Sequence, residues 1–209
     1  MANPPRKPWN SWRQAEMKQS EVNRLCREAD DCLRRRGWAL PPNAEFAATD
    51  FGLGDYRSAG LVEVLLANEP EYCEKIMYAA VNMSTPAHTH GKKKEDIICR
   101  SGELRLTLWN ANPTLYTPSG SVSVQINRQL RIMPSGEAFL LKPGERITLT
   151  PGIWHAFAPS APDTLIGEVS TWCDEATDNF FADPKVDIFH AIEPDEAPKF
   201  GGFSAEATP

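Results

Sequence analysis

The sequence predicts a mainly β protein: a small barrel or jelly roll with one α-helical element at its N-terminal end. Three observations predict it. From about Gly60 onward, short stretches alternate apolar and polar residues, as half-buried strands do. Glycine and proline punctuate these stretches often, in keeping with the turns of a barrel or jelly roll. Upstream, a single apolar stripe keeps helical spacing instead.

In chain order, residues 1–16 are rich in Pro, Trp and Arg and show no period. They form an extension that either packs on a neighbour through Trp9 and Trp12 or moves freely. Residues 17–60 hold the helix and a following loop. Ser20 is the expected N-cap, with Glu21 in the first turn. Val22, Leu25, Cys26, Ala29 and Leu33 form the stripe. Arg34, Arg35 and Arg36 complement the helix dipole, Gly37 stops the helix and Pro41-Pro42 closes the element. Residues 43–60 read as loop or short helical turns, and Gly52-Leu53-Gly54-Asp55 lacks the context of a dinucleotide site.

Residues 61–182 carry the predicted barrel. Strands are expected at 61–66 and 73–83, separated by a turn around Asn68-Glu69-Pro70. Alternation marks Leu104, Leu106 and Leu108, then Val122, Val124 and Ile126. Residues 138–141, the turn Pro143-Gly144-Glu145, and Ile147 with Leu149 have a hairpin signature. Residues 164–170 form the last strand. The tail, 183–209, is proline-rich and acidic and is expected to wrap the surface.

Composition narrows the classes. The 209 residues are 41% hydrophobic and 24% charged, with net charge −6. A general nucleic-acid binder wants a basic face, which this balance opposes. No run of about 18 apolar residues exists, so no membrane span is expected. The leader lacks the apolar core of a secretory signal. Five cysteines without a C-x-x-C pair read as free thiols in a reducing cytoplasm.

The chemistry concentrates in His88-Thr89-His90-Gly91-Lys92-Lys93-Lys94-Glu95 and in His155, three of the four histidines. In a strand, residues i and i+2 share a face, so His88 and His90 can point together. The polar stretch 91–94 can turn the chain, bringing Glu95 back alongside. Three imidazoles and a carboxylate suit a divalent first-row metal. His190 lies far off in sequence and reads as structural or solvent-facing. Cys99 is not counted among the ligands.

These residues carry a resemblance. H-x-H-x4-E-x6-G, ending at Gly102, and G-x10-H, from Gly144 to His155, are similar to the two cupin motifs. The second departs from the pattern at Thr150, where the family has Pro, and at Pro159, where Asn is common. Neither position is a ligand. Further strings resemble the D-lyxose ketol-isomerase branch of the cupins: Lys18-Gln19-Ser20-Glu21-Val22-Asn23, Ala39-Leu40-Pro41-Pro42, Asp50-Phe51-Gly52-Leu53-Gly54-Asp55, Lys93-Lys94-Glu95-Asp96-Ile97-Ile98, and Gly167-Glu168-Val169-Ser170 leading to Asp178-Asn179. The resemblance implies a double-stranded β-helix, a homodimer, and a D-lyxose/D-xylulose interconversion with D-mannose/D-fructose as a second pair.

The four ligands leave two neighbouring positions in an octahedral shell, enough for a sugar's carbonyl and adjacent hydroxyl. Mn²⁺, or Co²⁺, Zn²⁺ or Fe²⁺, would then stabilise an enediolate as the proton moves between C2 and C1. Glu168, isolated in an apolar strand, is the expected base, its pKa raised by desolvation. Lys94, beside the ligand Glu95, is the expected lysine at the site. Asp178, with Asp174 similar, is expected to bind hydroxyls, and Trp154 and Phe157 to wall the pocket. The same ligand set serves iron-dependent cupin dioxygenases and non-catalytic sugar-binding cupins, and the residues alone leave both open.

Overall fold

The computed structural model describes residues 17–171 and 173–201, so the leader with Trp9 and Trp12 lies outside the described residues. Helix α1 (Gln19–Arg35) buries Leu25, Cys26, Ala29, Cys32 and Leu33, the stripe its spacing demands. It starts two residues earlier than Ser20 implies, with Lys18 as N-cap. Glu21 folds back so that its carboxylate accepts the Lys18 backbone N–H. Ser20 is occupied elsewhere: its N–H and hydroxyl both donate to Asp195 of the tail. At the other end Gly37 takes φ +69°, and Trp38 N–H and Gly37 N–H reach back to Leu33 and Arg34 carbonyls, a Schellman stop.

Thirteen strands follow. The first group is β1 (Phe46–Thr49), β2 (Leu61–Asn68), β3 (Cys73–Tyr78), β4 (His88–Thr89) and β5 (Glu95–Ser101). The second is β6 (Leu104–Trp109), β7 (Ser121–Ile126), β8 (Gln129–Pro134) and β9 (Ala138–Leu141). The last is β10 (Arg146–Leu149), β11 (Trp154–Pro159), β12 (Leu165–Ser170) and β13 (Phe180–Phe181). They form two antiparallel sheets, ordered β1-β2-β3-β12-β5-β10-β7-β8 and β13-β4-β11-β6-β9. This is the cupin fold, a double-stranded β-helix. Leu104, Leu106, Leu108, Ile147 and Phe157 are buried in its core.

Three sequence expectations change. Residues 46–49, read as loop, form β1 and pair with β2. The strand expected to run to Met83 stops at Tyr78, because the chain turns at 80–83 with Asn82 left-handed and Met83 N–H bonded to Ala80 O. The expected hairpin of β9 and β10 does not pair with itself. β9 joins β6 in one sheet and β10 joins β5 and β7 in the other, so the Pro143-Gly144 turn is a corner between sheets. A jelly roll alternates sheets in this way, and local alternation cannot distinguish a corner from a hairpin.

The layering places the site. On β2 and β3, Val62, Val64 and Ile76 are buried on the α1 side, whereas Glu63, Leu65, Lys75 and Met77 line an interior cavity. Gly102 makes the β5–β6 turn at φ +72°, where a Cβ would lie 2.2 Å from the Thr164 hydroxyl. The described part of the tail clamps α1: Gln19 N–H donates to Glu193 O, Asn23 donates to Glu196, and Phe200 packs on Phe46. Among the described residues no helix is long and apolar enough to cross a membrane.

Candidate metal centre

Three strands, β4 with the residue after it, β5 and β11, deliver one cluster. β4 pairs with β11 so that His88 stands directly opposite His155, ring centroids 4.1 Å apart. His90 follows β4 by one residue, its carbonyl held by the Gly152 N–H. Glu95 opens β5 on the facing sheet. One ligand atom from each of His88, His90 and His155 lies within 4.8 Å of the other two. Glu95 Oε1 is 2.9 Å from His155 Nε2 and 3.6 Å from His90 Nε2.

The tautomers follow from second partners. His88 Nδ1 faces Pro86 O at 2.9 Å, His90 Nδ1 faces Asp178 O at 2.9 Å, and His155 Nδ1 faces Ile153 O at 3.1 Å. A carbonyl only accepts, so each Nδ1 carries the proton and each Nε2 presents its lone pair. His90 Nε2, His155 Nε2 and Glu95 Oε1 are buried with no hydrogen-bond partner. Lone pairs aimed at one another at these distances repel, and a shared cation resolves that. The residues therefore fit a divalent metal. Burial, then the neighbouring His155 and His90, holds His88 well below the ordinary imidazole range. Burial alone would raise Glu95, but the Lys93 ammonium 3.0 Å away overrules it and keeps the carboxylate well below its usual range.

Asp178 organises this turn. Its Oδ1 accepts Gly91 N–H and Lys92 N–H at 3.0 Å each, its Oδ2 accepts Lys93 N–H at 2.8 Å, and its own carbonyl takes His90. The carboxylate is thus spent on backbone, and the expected role in holding hydroxyls does not match its placement. Asp174 lines the cavity, but its carboxylate is bound to Thr177 and to the Ala176 N–H.

Lys94 is also misplaced by sequence. Its side chain is exposed, and its backbone pairs with Thr171. Lys93 enters the site instead, its Nζ 3.0 Å from both Glu95 Oε2 and Glu168 Oε1. Burial opposes the charge on Lys93, but Glu168 and Glu95 prevail and raise its pKa well above the usual value. The reason is alternation: positions 93 and 95 share a face, whereas 94 faces away. The same rule separates Trp154 from His155. Phe157, two residues on, lines the cavity; Trp154 does not.

Glu168 projects from β12 into the cavity, 4% exposed, with Oε1 accepting from Lys93 and from the Ser170 hydroxyl. Beside it stands a second charged group that sequence reasoning missed. Lys75, across the β12–β3 ladder from Glu168, bonds Glu175 at 2.5 Å and Glu63 at 3.3 Å. The signal for Glu63 was the one that marked Glu168, a lone charge inside an apolar strand; Lys75 follows Glu74 and lacked it. Glu175 sits on a loop and had none. The cavity holds about 410 Å³ and takes apolar walls from Phe51, Leu61, Phe157 and Phe181. His190 lies elsewhere, its Nε2 3.0 Å from Asp50 Oδ1. Cys99 hydrogen-bonds Ser101 O and takes no part in the cluster.

The D-lyxose isomerase family model matches residues 46–201. The D-lyxose/D-mannose isomerase of Escherichia coli O157:H7 is 31% identical over 86% of this chain and 94% of its own length. That of Serratia proteamaculans is 32% identical over 88% of this chain and 95% of its own. Among solved structures, the L-ribose isomerase of Cellulomonas parahominis superposes with TM-score 0.63 at 18% identity, covering 86% of this chain and 98% of that one. At that identity the likeness is one of fold.

Proposed function

Since this chain belongs to the D-lyxose isomerase family, we propose that it is a metal-dependent aldose–ketose isomerase interconverting D-lyxose with D-xylulose, and D-mannose with D-fructose. The observation that carries the reading is the cluster of His88, His90, Glu95 and His155, with buried unpartnered atoms on His90, Glu95 and His155, of which His88, His90 and Glu95 line the same cavity as Glu168. A divalent cation there, Mn²⁺ foremost, would polarise the sugar's carbonyl and neighbouring hydroxyl and stabilise the charge that develops as C2 loses its proton.

The chain's own residues do the rest. Glu168 takes the proton from C2 and returns it to C1, while the hydroxyl proton passes from O2 to the neighbouring O1. Both hydrogen bonds to its carboxylate arrive at Oε1, and among the described residues Oε2 has no donor, so that oxygen serves as the base. Lys93 ties the base to Glu95, fixing the distance between proton acceptor and metal ligand. Its ammonium also offsets the two carboxylates in a buried wall.

The test is Glu168→Gln, which keeps shape and removes the base. It should retain metal by elemental analysis and lose about 10²–10⁴-fold in D-lyxose turnover. A variant that isomerises D-lyxose at the wild-type rate refutes the assignment. Running the wild-type reaction in D₂O reads the mechanism: deuterium at the transferred position supports proton transfer over a hydride shift.

A further inference from the structure

Lys75 does nothing in the chemistry described so far, yet it is an expensive residue. Its side chain is 4% exposed, at the wall of the cavity, on a strand whose neighbouring Ile76 and Met77 are buried. Leucine or methionine would pack there without desolvating a charge. Burial works against the ammonium, but Glu63 and then Glu175 outweigh it. An ammonium has three donors. Glu175 Oε1 takes one and the two oxygens of Glu63 share another. The third has no partner among the described residues, and the cavity is what remains beside it.

The position along the sheet gives that donor a target. Glu95 lies on β5; β12 follows, then β3 with Lys75. Two strand spacings, about 9.5 Å, separate the metal-ligand strand from the lysine strand, and Glu168 stands between them, directly opposite Lys75. An open-chain sugar fixed by O1 and O2 at the ligand cluster crosses Glu168 with C2 and runs its tail towards β3. We propose that Lys75, held upright by Glu63 and Glu175, is the specificity-determining residue for the far end of the sugar, donating its free N–H to the terminal hydroxyl. Asn68 lines the same cavity. This rests on the reading of the site as a sugar isomerase.

The experiment pairs enzyme and substrate changes. Wild-type protein and Lys75→Met are assayed with Mn²⁺ on D-lyxose and on 5-deoxy-D-lyxose, which lacks only the terminal hydroxyl. Comparing the two enzymes on each sugar cancels differences in ring opening. On D-lyxose, Lys75→Met should lose about ten- to a hundredfold in kcat/KM, mostly through KM. On the deoxy sugar the two enzymes should agree to within about threefold. Because Lys75→Met strands two carboxylates, the double variant Lys75→Met/Glu63→Gln is run alongside, and the same pattern is expected from it. Equal losses on both sugars overturn the inference. Wild-type protein inert on D-lyxose with Mn²⁺ overturns the reading of the site itself, and this inference with it.

Discussion

Asp178→Asn separates the metal ligands from what aims them. Asparagine keeps the shape of the side chain and one acceptor oxygen. That oxygen can still serve Gly91 and Lys92, but an NH₂ group then faces the Lys93 N–H, where Oδ2 accepted at 2.8 Å. One buried donor is orphaned, at roughly 1–3 kcal/mol, and the remaining bonds lose their charge assistance. The loop that carries His90 and Lys93 loosens as a result. Loss of such supporting contacts typically costs about 10–100-fold in metal affinity. Titration calorimetry with Mn²⁺ and thermal unfolding of the metal-free protein read the two effects separately. The reasoning is refuted if Asp178→Asn melts lower but binds Mn²⁺ as tightly as wild type, for then the turn is held by other contacts.

His155→Ala removes a ligand and should weaken Mn²⁺ binding by more than about 100-fold. Wild type at a hundred times its Kd gains about 2.7 kcal/mol from the metal, and a variant that keeps this Tm rise sinks the ligand set. Glu175 is held below the ordinary carboxylate range because Lys75 and Lys93 overcome the effect of burial. A depressed carboxylate contributes stability above its unfolded pKa, about 4.3, and loses it as pH falls. The Tm gap between wild type and Glu175→Gln should therefore be full at about pH 7 and begin to shrink below about pH 4, narrowing steadily as pH falls further, damped because the side chain is 41% exposed; a pH-independent gap refutes it. The family resemblance implies a homodimer, so light scattering should give twice 23.2 kDa, and a monomer mass refutes it.

How much of this was legible depended on whether the signal was local. The helix, the alternating strands and the H-x-H…E…H set are periodic or motif-like, and each could be placed by counting. Lys93 was within reach of the same counting: applying the two-residue period to Glu95 selects 93 over 94, whereas adjacency to the ligand misled. Glu63 was visible as a lone charge in an apolar strand, whereas Lys75 was masked by the adjacent Glu74, and the meaning of both needs the β12–β3 ladder that sets Lys75 against Glu168. Asp178 was singled out by sequence and given the wrong task, because a carboxylate that caps three backbone N–H groups looks the same in sequence as one that binds a hydroxyl. Glu175 needed the fold, since only the return of the loop after β12 brings it over β3. The β9–β10 corner failed for the same reason in reverse: a local hairpin signature was overridden by which sheet each strand joins.

The cavity wall ties these side chains into one electrostatic unit. Glu63, Glu95, Glu168 and Glu175 face two ammoniums, Lys75 and Lys93, leaving two negative charges that a divalent cation balances. Glu63 registers the imbalance. Burial raises its pKa, and although Lys75 opposes this, Glu175 and Glu168 push it further up. A cation entering at Glu95 lowers the cost of ionising Glu63, so metal binding should expel protons from a group that is not a ligand. Calorimetry in two buffers of different ionisation enthalpy counts those protons across the pH range in which the protein stays folded. Contributions from the ligands are common to wild type and Glu63→Gln and cancel in the difference. Wild type should release a measurable fraction of a proton more than Glu63→Gln somewhere in that range, above the ordinary carboxylate pKa. Identical counts would mean that the metal's field does not reach β2, and that the wall and the ligand cluster are separate sites that merely share a cavity.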